Sequence, residues 1–336
     1  KVADTITMGN KNTANTGGGI AIGKGNTANS TAGGGSAGVN SQIAIGRDNQ
    51  AVDEDTLAVG RENKATERLA MAIGNRTEAT GVGSIAIGSN GAPDKSGNVF
   101  KTVSSGTFSV ALGAQTSSTG TASVAVGGLA SATATSATAV GHGATASEQA
   151  SVAVGKNATV NKQKDTSNYE FSGSNGTPSP AGYKPETITV NRAATPTGGA
   201  VAGNYYDAGS GVAIGHGATV SDESYRAVVV GPDAKTNGNA HYSVVLGSGS
   251  HADASDGFVA GHGSYVESRE SIAMGSGANV SGNENIRSQA IGFGATVTGT
   301  RAYDATAIGA TAQVNGVQGG VALGSGAMLD RTTASN

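Results

Sequence analysis

A four-residue unit, apolar–Ala–apolar–Gly, recurs along the whole chain. It occurs as Ile20-Ala21-Ile22-Gly23, Ile43-Ala44-Ile45-Gly46, Leu57-Ala58-Val59-Gly60 and Met71-Ala72-Ile73-Gly74. It is still present at Val212-Ala213-Ile214-Gly215, Ile272-Ala273-Met274-Gly275 and Val321-Ala322-Leu323-Gly324. Eighteen glycines anchor such units between Gly9 and Gly324, and nine of the 17 gaps between them are 14 residues long. Self-similarity at a fixed short period identifies a repeat architecture, in which each unit is one supersecondary element that cannot bury its apolar face alone.

Within a unit the apolar residues alternate with period two, which predicts a strand. Five residues after the glycine a second small apolar residue recurs, as in Ala28, Ala51, Ala65, Ala132, Val160, Val220 and Val280. It marks a second short strand. The intervening residues, for example Gly60-Arg61-Glu62-Asn63-Lys64, are turn formers. One unit therefore reads strand, turn, strand, turn. Stacked 14-residue coils make a parallel β-solenoid, and 18 coils at the spacing of paired strands give a rod of roughly 85 Å. The anchoring glycine is expected to permit a sharp bend or a close backbone approach.

Composition fits thin coils. The 336 residues include 55 Gly, no Trp, no Cys and only 5 Phe, with 4% aromatic and 13% charged residues. Small and β-branched residues suit tightly stacked strands. The net charge of −3 comes without a basic block, so the electrostatic footprint of a nucleic-acid binder is absent. No apolar run reaches the length of a membrane span, and Lys1 to Asn10 do not read as a signal peptide.

The residue two before each glycine lies on the opposite strand face from the Ile/Val pair. It is Ala in 14 of 18 copies, including Ala21, Ala44, Ala58, Ala72, Ala86, Ala111, Ala125, Ala153, Ala213, Ala273 and Ala322. If the Ile/Val pair fills the coil, this Ala stripe faces outward as an apolar patch that needs a cover. A second copy of the chain is the simplest cover, since most oligomers are homo-oligomers. The alternative is that strand geometry tucks the Ala inside its own coil.

The units Ser84-Ile85-Ala86-Ile87-Gly88, Ser109-Val110-Ala111-Leu112-Gly113, Ser123-Val124-Ala125-Val126-Gly127 and Ser151-Val152-Ala153-Val154-Gly155 resemble the head repeats of trimeric autotransporter adhesins, the YadA-like heads of Gram-negative outer-membrane proteins. The resemblance implies an all-β, left-handed parallel β-roll with three chains side by side as a homotrimer. It implies a head at the bacterial cell surface that attaches to host matrix proteins, host cells or other bacteria. It also implies a stalk and a C-terminal membrane anchor, expected to lie outside this chain. On that reading residues 1–160 and 210–330 are head repeats, 161–209 is an insert and 331–336 is a tail.

Shorter inserts fall near 30–38 and 91–105. The long one carries Pro178, Pro180, Pro185 and Pro196 together with Tyr169, Phe171, Tyr183, Tyr205 and Tyr206. Insertions in a solenoid map to surface loops, and Tyr-rich loops on a rigid scaffold suit recognition. These five aromatics are candidate ligand contacts; the alternative is that they pin the loop to the rod or to a neighbouring chain.

Little else in the sequence points to chemistry. His142, His216 and His262 sit in Gly-His-Gly turns, and they, His241 and His251 have no zinc-ligand spacing, so no metal and no cofactor is expected. No nucleophile elbow or calcium-binding nonapeptide repeats. Two other solenoids compete. A left-handed β-helix acyltransferase needs a six-residue repeat, three per coil, and an ice-binding solenoid needs Thr in one register; Thr133, Thr135 and Thr138 do not keep one. The chain is read as a binding module and not as an enzyme.

Overall fold

The computed structural model describes residues 5–15, 18–29, 41–89, 101–161, 211–221, 224, 226–238, 240–282 and 284–331. These residues form an all-β solenoid of about 18 turns, with two strands per coil and no helix among them. The first strand of each coil holds the repeated tetrapeptide, as in Ile20–Lys24, Ile43–Arg47 and Val124–Val126. The second strand, such as Thr27–Ala28 or Thr159–Val160, holds the small apolar residue five after the glycine. All first strands pair in parallel into one 18-stranded front sheet, and the second strands pair coil by coil into a back sheet.

The pairing register is the sequence register. Ile20, Ala21, Ile22 and Gly23 lie beside Ile43, Ala44, Ile45 and Gly46, although 23 residues of sequence separate them. Val152, Ala153 and Val154 lie beside Val212, Ala213 and Ile214, and Thr159–Val160 beside Thr219–Val220. The coils on either side of the long insert are thus stacked neighbours. The insert near 91–105 is shorter than the sequence suggests. Val103–Ser104 already form the second strand of the Gly88 coil, paired to Glu78–Ala79, because the insertion falls inside a coil between its two strands.

The interior is narrow, and this reverses one expectation. Ala21, Ala44, Ala58, Ala72, Ala86, Ala111, Ala125, Ala153, Ala213 and Ala273 are all 0% exposed and Ala322 is 4% exposed in a single chain. They point into the coil, against Ala28, Ala51, Ala65, Ala132, Val160 or Val220 from the back sheet. The largest fully buried side chains are Gln, Val and Asn, and Leu329, which packs against this interior in the last coil, is only partly buried. A coil this short has room for one Ala facing one Ala or Val. The branched pair on either side of the Ala must therefore point out. The Ala stripe is core, and the outward stripe is Ile and Val.

Two coil types share this frame. In the first coils Asn12, Asn26, Asn49 and Asn63, each three residues after its glycine, stack into a ladder. The Asn49 side-chain amide donates to Asn26 Oδ1 (3.0 Å), Ile45 O (2.9 Å) and Gly60 O (2.8 Å). Its own Oδ1 accepts from the backbone and side chain of Asn63 at 3.1 and 3.0 Å. Thr77 ends the ladder, its hydroxyl donating to Asn63 Oδ1 at 2.7 Å. In most later coils Ala takes this place, and its N–H closes a turn onto the anchoring glycine, as in Ala130 N to Gly127 O at 3.2 Å. The two types differ in partner, but in both the buried backbone N–H at this position is paired, as burial requires.

Each anchoring glycine faces the next one. Gly74 has φ +135°, and a Cβ there would lie far inside van der Waals contact with the carbonyl oxygen of Gly88. Gly324, in the last coil, has φ +121° with open space around it. Both bend and close approach are thus required at Gly74, and only the bend at Gly324. Gly74→Ala is expected to lose roughly 2–5 kcal/mol from overpacking and backbone strain, and Gly324→Ala no more than about 1–3 kcal/mol from strain alone. Denaturant unfolding of both variants checks the difference. Asn49→Ala is expected to cost roughly 2–4 kcal/mol, because the Asn63 N–H loses its Oδ1 acceptor, Gly60 O loses an amide donor and Asn26 Oδ1 keeps only the backbone N–H of residue 49, even though Ala158 occupies the equivalent place in its own coil. Equal stability of Asn49→Ala and the parent would show that the ladder adds nothing.

Candidate binding faces

The outer side of the front sheet is apolar along most of its length, with Thr138, Gln289 and Thr306 the polar residues in the same register. Ile22, Ile43, Leu57, Val59, Met71, Ile73 and Ile85 are half-buried, since each is flanked by its counterparts on the neighbouring coils. Ile45, Ile87, Ile214, Leu246 and Met274 are between 36% and 42% exposed. Apolar side chains in one register on so many successive strands form a continuous patch, far larger than the few hundred Å² that a soluble monomer usually exposes.

The back sheet is its chemical opposite. Its outward positions are Thr27 and Asn29, Lys64 and Thr66, Ser131 and Thr133, Thr145 and Ser147, then His251 and Asp253, Tyr265 and Glu267. Here the His251 and Tyr265 rings stack with centroids 4.2 Å apart. The Tyr265 hydroxyl donates to Asp253 Oδ2 at 2.8 Å, and Asn237 Nδ2 donates to Asp253 Oδ1 at 2.8 Å. Partial burial, then the Asp253 carboxylate, push the Tyr265 phenol above its ordinary range. Side chains in register on adjacent strands account for these contacts, and a polar outer face of this kind is readily solvated.

The two edges of the coil are turns. Residues two after the glycine and five before the next one adopt left-handed φ, for example Asp48 (55°), Glu62 (55°) and Arg76 (57°) on one edge and Asp55 (53°) and Leu69 (61°) on the other. On the first edge Glu62 accepts hydrogen bonds from Arg76 Nε and from Arg61 Nε (2.8 Å), and Arg47 lies 3.4 Å from it. The hydrogen bonds from Arg76 and Arg61 hold the pKa of the Glu62 carboxyl down to about 2. His142, His216 and His262 lie on this same edge, on separate coils, and His216 lies 3.8 Å from Asp233. His241 is different: it is buried in the opposite turn, and burial lowers its pKa. No group of three or more His, Cys, Asp or Glu side chains is placed to hold a metal among the described residues.

The Ala residues taken from the sequence as an interface are therefore not at a surface, whereas the Ile/Val pair beside them is. The aromatics Tyr169, Phe171, Tyr183, Tyr205 and Tyr206 lie outside the described residues. The Asn ladder escaped the sequence reading, although Asn three residues after four successive anchoring glycines was its visible signal.

The family model described as "YadA head domain repeat (2 copies)" matches residues 65–90, 104–130 and 132–158. Each matched stretch contains two anchoring glycines, Gly74 and Gly88, Gly113 and Gly127, Gly141 and Gly155, and thus spans two coils. A search of curated proteins finds no match. The pairing register carries the matched geometry outward in both directions, from Ile6–Asn10 to Val321–Leu323. The chain thus carries the YadA-like head domain of trimeric autotransporter adhesins.

Proposed function

We propose that the chain is the exposed head of an adhesin on the surface of a Gram-negative bacterium, built as a left-handed β-roll and working as a homotrimer. Three copies lie side by side with their front sheets toward a common axis. The observation that carries this reading is the long, mainly Ile, Val, Leu and Met stripe on the outer side of the front sheet, on a rod whose coils at residues 65–90, 104–130 and 132–158 match YadA head repeats. Three such stripes around an axis bury one another, and the Thr-, Ser- and Asn-bearing back sheets remain outward to meet water and targets. The targets are host matrix proteins, host-cell receptors or other bacterial cells. Attachment to the outer membrane, in this reading, is the work of a C-terminal membrane anchor.

Binding in this reading needs no catalytic group, and many weak contacts repeated along three chains add up by avidity. The acyltransferase alternative loses ground on geometry, since each coil has two strands and not three.

Light scattering after size-exclusion chromatography is expected to give three times the mass of one chain. Ile22→Asp, Ile45→Asp and Ile73→Asp together place three carboxylates on the front face and are expected to shift that mass to monomer. On the back face, Ser131→Asp with Thr145→Asp is expected to leave the trimer intact. The trimer is then expected to bind surfaces coated with matrix protein or cells, and the front-face variant to lose most of that binding with the loss of avidity. A folded head that is monomeric alone, and whose rods stay apart when the chain is fused to a trimeric coiled coil, would sink the trimer. No binding by a verified trimer across matrix proteins and cells would sink adhesion.

A further inference from the structure

The first coils separate charge between their two edges. On the edge that follows the front strands stand Lys11, Lys24, Arg47, Arg61 and Arg76, with Asp48 and Glu62 among them, so five cations and two carboxylates give a formal +3. On the edge that precedes those strands stand Asp53, Glu54, Asp55 and Glu67 with Arg68, so four carboxylates and one cation give a formal −3. Arg47, Arg61 and Arg76 share Glu62, and Arg47 also lies 3.7 Å from Asp48. Among the described residues, none of the four carboxylates on the other edge has an ion-pair partner within its own chain. The opposed charges sit at the same coils: Asp55 lies just before the strand Leu57–Arg61 and Arg61 ends it.

We propose that these edges dock on each other between chains, the basic edge of one protomer against the acidic edge of a second copy at the same coil, so that Arg47, Arg61 and Arg76 face Asp53, Asp55 and Glu67 of the neighbour. This rests on the trimer reading above. Closed cyclic symmetry has no shift along its axis, and in a three-membered ring each chain meets its two neighbours through two different strips of surface. With the front sheets facing the axis, those strips are the two edges, and matching heights bring opposite charges together. The apolar face supplies association. Charge complementarity fixes orientation and register, since side-by-side rods with a uniform repeat fit almost as well when slipped by a coil. A strip meant for a polyanion would need the cations but not an equal acidic strip at the same coils.

The chain has no cysteine, which allows direct trapping. Residues 55 and 61 of one chain lie at opposite ends of a strand, roughly 20 Å apart, too far for a disulfide. The double variant Asp55→Cys/Arg61→Cys is expected to oxidise to a covalent trimer on a denaturing gel, with each single variant staying a single chain. Light scattering under reducing conditions checks first that all three are folded trimers. A trimer by mass whose double variant gives no covalent trimer, or whose single variants give covalent dimers, would overturn the edge contact and leave the trimer standing. A protein that is monomeric by mass even with a trimeric coiled coil appended would instead fail the reading on which it rests. As a second measurement, reversing Arg47, Arg61 and Arg76 to Glu is expected to lower the melting temperature of the trimer. Adding Asp53→Lys, Asp55→Lys and Glu67→Lys is expected to restore it. Additive losses with no restoration would overturn the pairing. Retention of the parent trimer on a heparin column, lost on the same reversal, would overturn it in favour of a polyanion.

Discussion

One close contact governs this fold: the backbone of each anchoring glycine before the last, Gly324, lies against the carbonyl of the glycine in the next coil. It holds adjacent front strands in identical register, so that Ala stacks on Ala and Ile on Ile along the sheet. Register in turn decides which side chains are inside. With two strands to a coil the interior is one residue wide on each side, and Ala facing Ala or Val fills it. Methyl groups and short β-branched chains bury little area each, so the burial that stabilises the rod comes from repetition along the axis and not from any large side chain.

Displacing Ile, Leu and Val from this interior has a cost on the outside. A two-sheet coil with one apolar and one polar outer face is amphipathic in the way a surface helix is, only on a flat surface. In the proposed trimer, stability of one chain and association of three are coupled through the same tetrapeptide, whose second residue packs the coil while its first and third face outward. The Asn ladder in the first coils is a different solution to the same geometry. It brings polar side chains into the interior, where the amides of Asn26, Asn49 and Asn63 pair with the coils on either side.

Much of this was legible in the sequence. Coil length, the two strands, the turn residues and the pairing partners all follow from the spacing of glycines, because a solenoid converts sequence period directly into spatial neighbourhood. The direction of the strand faces was not. Period two states that Ala21 and Ile22 point to opposite sides, and hydrophobicity suggests that the larger residue is the buried one. That rule fails when the interior is too thin for it, a steric fact about the closed coil that no single strand reveals. The Asn ladder was missed because Asn in a turn has a sufficient local explanation, and its partners lie 14 or 23 residues away. In the proposed trimer the interface expected at Ala21, Ala44 and Ala58 consequently moves one residue to either side, to the Ile, Leu and Val neighbours.

The pairing of Val152 with Val212 has a further consequence. The scaffold registers only that a strand with the right tetrapeptide arrives, not how much chain preceded it. Closing a connection of about 50 residues instead of about five costs roughly 2 kcal/mol of chain entropy, little against the summed contacts of many coils. Segments between coils are thus almost free variables under selection. Such a scaffold can exchange the segments between its strands, lengthen them or change their composition wholesale while the strand register stays untouched. Diversification, in this architecture, proceeds at the joints between coils, where it is decoupled from foldability.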